Sequence, residues 1–160
     1  MDKLFLQKQV LERLAEDLLQ VEQAARQAHE AATHEENVAE NKYDTLGLEA
    51  AYLATGQARR AEALRQAMAN WRRFHPHPYN ASKGIELGAL VCLVDSGEKQ
   101  QLLFLGPNGG SMKLVSGAEP IQVISSETPL GRAMLGKFEG DEVSIQIAQS
   151  RQQFEVLRVH

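Results

Sequence analysis

Between Leu11 and Ala32 the small or apolar positions Leu11, Leu14, Leu18, Val21, Ala25, Ala28 and Ala32 recur at alternating steps of three and four. That spacing holds one stripe on one face of a helix and is the heptad pattern of a coiled coil. A second run, Leu46, Ala50, Leu53, Gln57, Ala61, Leu64, Met68 and Trp71, repeats nearly the same steps, with Arg59, Glu62 and Arg65 off the stripe. The pattern predicts two helices of about 28 residues, each about 42 Å long at 1.5 Å per residue, paired antiparallel. Their seam shrinks from leucine to alanine toward residue 32, so the hairpin should be slim at its distal end. The same spacing also describes a hairpin inside an ordinary helical bundle. Tyr52, beside Leu53 well inside the second run, is expected to pack against the neighbouring helix.

Up to Phe74 there is no proline and only Gly47 and Gly56; both residue types are frequent afterwards. The segment His75-Pro-His-Pro-Tyr-Asn-Ala-Ser-Lys83 ends the helix, because each proline removes a donor and pushes its predecessor toward extended backbone. We therefore divide the chain into a coiled coil over 1–74, a linker over 75–83 and a second domain over 84–160. His75 and His77 lack a third ligand of suitable type nearby and are not read as a metal site.

From Ile85 the period shortens to that of strands: Ile85–Val94, Gln100–Leu105, Ile121–Ile124, Val143–Ala148 and Phe154–Val159. Turn clusters separate them, among them Asp95-Ser-Gly-Glu, Gly106-Pro-Asn-Gly-Gly and Glu139-Gly-Asp. Thr128 is a good N-cap, Pro129 a good first helical residue, and Gly136 is placed to stop a helix of little more than one and a half turns. The expected fold class is α+β, a helical hairpin followed by a small, mostly antiparallel β domain with one short helix.

Composition narrows the function. With 43% apolar and 24% charged residues, the 160-residue chain has the make-up of a globular protein. The single cysteine, Cys92, excludes an intrachain disulfide and any cysteine-built zinc site and fits a reducing, cytoplasmic setting. The polar N-terminus has no signal-peptide pattern and the longest apolar stretch, Ala89–Val94, is far short of the roughly 20 residues that span a bilayer, so no membrane partner is expected. Seventeen basic against 21 acidic residues leave a net charge of −4, which argues against autonomous DNA binding.

The run Ser126-Glu-Thr-Pro-Leu-Gly-Arg-Ala-Met-Leu-Gly-Lys-Phe-Glu-Gly-Asp-Glu-Val resembles the C-terminal signature of the GreA/GreB transcription elongation factors. That family joins an N-terminal antiparallel coiled coil to an FKBP-like β domain. The resemblance implies RNA polymerase as partner, with Pro129, Leu130, Arg132, Met134 and Lys137 in the docking element. It further implies that the coiled coil enters the secondary channel and acts at its tip. There Asn37-Val-Ala-Glu-Asn41 is similar to the family's Asp-Leu-(Ser/Lys)-Glu-Asn, which puts Glu40 at the tip glutamate and Asn37 where the family has aspartate.

Glu36, Glu40 and Asp44 stand at i, i+4 and i+8, on one face of any helix formed there. Glu35 joins them, and against Lys42 these four carboxylates leave the tip at −3, whereas residues 45–74 carry +3. The resemblance assigns Glu40, Glu36, Asp44 and Asn37 to assisting the magnesium of the polymerase active centre, with no cofactor bound by the free protein. Arg59, Arg60, Tyr43 and Lys42 are candidates for contact with the channel or the 3′ end of the nascent RNA. The readings carried forward are stimulation of transcript cleavage and occupation of the channel without cleavage. An FKBP-like peptidyl-prolyl isomerase with a helical arm is the alternative from another class; its pocket needs an aromatic cluster, for which this half offers Phe104, Phe138 and Phe154.

Overall fold

A computed structural model describes residues 2–34, 46–108 and 112–160. Two long helices come first, α1 (Lys3–Thr33) and α2 (Leu46–Arg73). Then follow strands β1 (Leu90–Asp95), β2 (Gln100–Gly106), β3 (Met112–Ser116) and β4 (Glu119–Ser125), the short helix α3 (Pro129–Met134), and strands β5 (Glu142–Ile147) and β6 (Ser150–Val159). The chain forms two compact units, one of Met1–Leu11 with Asn70–His160, the other of Glu12–Ala69.

In the larger unit the described strands make one sheet in the order β3-β4-β2-β1-β6-β5, antiparallel except where β2 meets β4. Both of its faces are covered. Val91 and Leu93 of β1, Leu103 and Leu105 of β2, Ile124, Val143 and Val156 build a core with Met134 of α3. On the opposite face Trp71, wholly buried at the end of α2, lies 5.8 Å from Phe104 and 5.7 Å, edge to face, from Phe74. Its indole N–H donates to the Asn108 carbonyl at 2.9 Å. The Gln7 side-chain amide donates to the carbonyls of Trp71 and Phe74, both at 2.6 Å, and so satisfies acceptors that the end of α2 leaves open. Asp2 caps α1 by accepting from the Leu4 and Phe5 amides. The Lys3 ammonium donates to the His77 carbonyl at 2.7 Å, and burial pushes its pKa below the ordinary lysine value.

Three expectations change. The strand expected over Ile85–Val94 starts only at Leu90, because Gly84 and Gly88 take positive φ of 78° and 88° and turn the chain ahead of it. β3 is not among the expected strands: Met112 and Leu114 alternate with Lys113 and Val115, but five residues between turns carry little periodicity. Trp71, the last member of the second helical stripe, serves the sheet unit.

β5 and β6 are joined by the two-residue turn Ala148-Gln149, since Ile147 pairs with Ser150. Ala148 sits there at φ 54°, where an L side chain crowds the carbonyl. Relief of that crowding exceeds the extra chain entropy of glycine. Ala148→Gly is therefore expected to stabilise the protein by about 0.5–1 kcal/mol, read as a higher urea midpoint at unchanged slope.

In the smaller unit α1 and α2 run antiparallel. Arg65 of α2 meets Glu22 of α1 at 2.6 Å, while a groove farther along is lined by Ala25 and Ala32 from α1 and by Ala51, Ala54 and Ala58 from α2. Of the alanines expected to slim the distal end, Ala25 and Ala32 line this groove and Ala28 is buried. Leu53 is not part of the seam: it is 58% exposed, and half-buried Ala54 takes the inward position. Tyr52 does not pack either and is 70% exposed.

Candidate functional site

The segment from Ser125 to Asp141 is fixed at almost every residue by a local contact. Thr128 accepts from the Gly131 amide at 3.0 Å and donates from its hydroxyl to the Ser125 carbonyl at 2.8 Å, as an N-cap should. Pro129 follows at the first helical position. Gly131 lies so close to the Ser125 carbonyl that no Cβ fits between them. Met134 is wholly buried, and Leu130 and Ala133 pack partly against the same core. Gly136 turns the chain at φ 75°; its amide donates to the Ile85 carbonyl and the Ile85 amide donates to the Lys137 carbonyl, both at 2.8 Å. The Asp141 carboxylate accepts from the Phe138 amide at 2.8 Å and closes the next turn, in which Gly140 has φ 86°.

This geometry sorts the signature residues. Thr128, Gly131, Met134, Gly136, Gly140 and Asp141 hold the element in place. Pro129 and Arg132 face solvent, Lys137 is half-buried, and all three remain available to a partner. Met134 is not available: expected in the docking element, it points into the core, because the edge it shares with Leu130 is the edge α3 turns toward the sheet. The exposed apolar side chains here are Leu135 and Phe138, at 41% and 40%. Helical spacing could not find them, since Leu135 has left the helix at ψ 131° and Phe138 follows a glycine turn. The only sequence signal is their place within two residues of Gly136.

Next to this surface Lys137, Ala133, Asp141, Glu142, Ser144 and Arg151 line a shallow depression. It mixes two cations with two carboxylates, and the Arg151 guanidinium donates to the Ser144 hydroxyl at 3.2 Å. Such a rim of both signs, next to exposed leucine and phenylalanine, has the make-up of a protein-binding surface.

On the arm Arg59 and Arg60 are exposed. Arg65 is held at 2.6 Å from Glu22 and 3.2 Å from Glu62, and its hydrogen bonds, first to Glu22 and then to Glu62, raise its pKa above the ordinary arginine value. It belongs to the hairpin's own stitching. Glu36, Asn37, Glu40, Lys42, Tyr43 and Asp44 lie outside the described residues. Among the described residues no group of three or more His, Cys, Asp or Glu side chains is placed to hold a metal, and no helix is long and apolar enough to cross a membrane. The three aromatics an isomerase pocket would draw on are apart: Phe104 faces Trp71, Phe154 packs on the opposite core, and Phe138 is exposed.

A two-helix arm and a six-stranded α+β unit, with a short capped helix followed by two glycine turns, define a two-module protein whose distinctive surface is that capped element. Residues 80–160 match the family described as transcription elongation factor, GreA/GreB, C-term. Across 152 residues the chain is 32% identical to the transcription elongation factor GreA of Desulfovibrio desulfuricans, covering 93% of this chain and 84% of that one. It is 29% identical over 152 residues to GreA of Nitratidesulfovibrio vulgaris, with 93% and 83% covered. Among solved structures it is similar to the GreA factor homolog 1 (Gfh1) protein of Thermus thermophilus, at a TM-score of 0.39 and 22% identity over 94% of each chain. The chain belongs to the GreA/GreB family of transcription elongation factors.

Proposed function

We propose that this protein binds RNA polymerase through the surface of Pro129, Arg132, Leu135, Lys137 and Phe138 and places its helical arm in the secondary channel. The observation that carries this reading is the sorting of the family signature: its buried members account for the fold, and its exposed apolar and charged members have no role in the core. The mixed-charge depression beside it favours a charged protein partner. Exposed Arg59 and Arg60 suit an anionic channel wall or the phosphates of the transcript.

At the tip, Glu40 with Glu36 and Asp44 supplies the carboxylates that a hard divalent cation takes, and Asn37 supplies a neutral amide oxygen. The cation and the hydrolysis belong to the polymerase; the chain's part is to hold charge and orient water beside it. Asn37, standing where the family has aspartate, favours a second mode in which the arm occupies the channel and cleavage is weak or absent.

The test is a stalled, backtracked elongation complex to which the protein is added. Bound protein with shortened transcripts is expected for cleavage, and bound protein with altered initiation or pausing for occupation alone. Glu40→Gln, which keeps shape and removes charge, should abolish cleavage while leaving polymerase affinity within a few fold. Asn37→Asp should raise it by roughly an order of magnitude, because a formal charge near a divalent ion outweighs an amide dipole. No binding to polymerase would end the proposal; binding with cleavage untouched by either substitution would end the role of the tip.

A further inference from the structure

In the β5–β6 ladder Ser144 stands opposite Gln153, which puts Arg151 on the diagonal from Ser144. The Arg151 Nε donates to the Ser144 hydroxyl at 3.2 Å. The side chain therefore reaches over to β5, and its guanidinium joins Lys137 in one depression. A guanidinium held at Nε keeps its two Nη groups free, and these are the parallel donors that take a carboxylate at both oxygens. Among the described residues no carboxylate pairs with Lys137 or Arg151, and Ser144 donates to no acceptor. The carboxylates of the depression are placed otherwise. Asp141 accepts from the Phe138 amide at 2.8 Å, and Glu142 stands opposite Glu155 in the ladder. Three sets of free donors thus meet in one place, beside the exposed Leu135 and Phe138.

We propose that this depression receives an aspartate or glutamate side chain of RNA polymerase. Arg151 takes the carboxylate at both oxygens, Lys137 adds a second positive charge, and Ser144 is a positioning residue that holds the guanidinium in line. This contact rests on the polymerase-docking reading and adds to it Arg151, which lies outside the signature run of residues 126–143. A depression of two cations and two carboxylates suits one singly charged group on a protein surface better than a run of phosphates. Glu142 has the wrong sign for the incoming carboxylate and weakens the contact.

The experiment measures the affinity of the full chain and its variants for core RNA polymerase free of nucleic acid, with the melting temperature of each. Glu142, Ser144 and Arg151 are exposed, so none of the melting temperatures should move. Arg151→Gln should weaken binding roughly tenfold or more, and Arg151→Lys nearly as much, because an ammonium keeps the charge and loses the parallel donors. Ser144→Ala should weaken it roughly threefold and Ser144→Thr, which keeps the hydroxyl, should restore it; Glu142→Gln should tighten it roughly threefold. Arg158→Gln removes an exposed arginine of β6 that does not line the depression, and should bind as the unaltered protein does. Absence of binding by every protein, the unaltered one included, would overturn the docking reading and this contact with it. Equal binding by the unaltered protein and either Arg151 variant overturns the contact alone. So does an Arg151 effect that appears only once nucleic acid is added, which would assign the anion to a phosphate.

Discussion

Trp71→Ala is expected to lose about 3–5 kcal/mol of stability, the cost of truncating a fully buried tryptophan. The indole fills the space between the end of α2 and Phe104, with Gly106 so close to its ring that a Cβ there would strike it. Truncation opens a cavity between the end of α2 and β2, and it removes the donor to the Asn108 carbonyl. Trp71→Phe keeps much of the volume and should lose clearly less. Urea unfolding followed by far-ultraviolet circular dichroism measures both; a loss below 1 kcal/mol for Trp71→Ala would mean that the helix end is not anchored as described.

Gly131→Ala is expected to be destabilising although alanine is the better helix former. The intrinsic gain is about 1 kcal/mol. Against it stands a methyl group driven into the Ser125 carbonyl, a backbone atom held by Thr128, and overpacking of this kind costs about 1–3 kcal/mol or more. The clash should win, and α3 should shift off the sheet. Because Pro129 and Arg132 ride on α3, polymerase affinity should fall by roughly tenfold or more with it. Gly136→Ala is the control: nothing lies near its Cβ, so the penalty is only that of its φ of 75°, about 1–2 kcal/mol, and α3 keeps its seat. Equal polymerase binding by Gly131→Ala and the unaltered protein would separate the signature helix from docking.

Much of the α3 element was legible from the sequence because its determinants are local. Thr128, Pro129 and Gly136 act on backbone groups within a few residues, and they cap and stop the helix where their spacing requires. The same holds for the two long helices, whose periodicity of three and four is a property of each segment alone. The direction of each face was less legible. Leu130 and Met134 mark an apolar edge, but only the sheet beside it decides that Met134 goes inward and that Leu135 and Phe138 are left outside.

The sequence by itself determined the two helical runs, the change from helical to strand period after the proline-rich segment, and the family signature. All of these rest on neighbours close along the chain, or on residue identities matched one by one. Tertiary structure alone decided that Ala54 and not Leu53 turns inward, that Trp71 serves the sheet, that Met112–Ser116 is an edge strand, and that the Gln9 side chain donates to the Val115 carbonyl from 106 residues away. Those outcomes depend on which distant surface each side chain meets. A one-residue difference in facing costs nothing locally, and its energy appears only when that surface is packed against it.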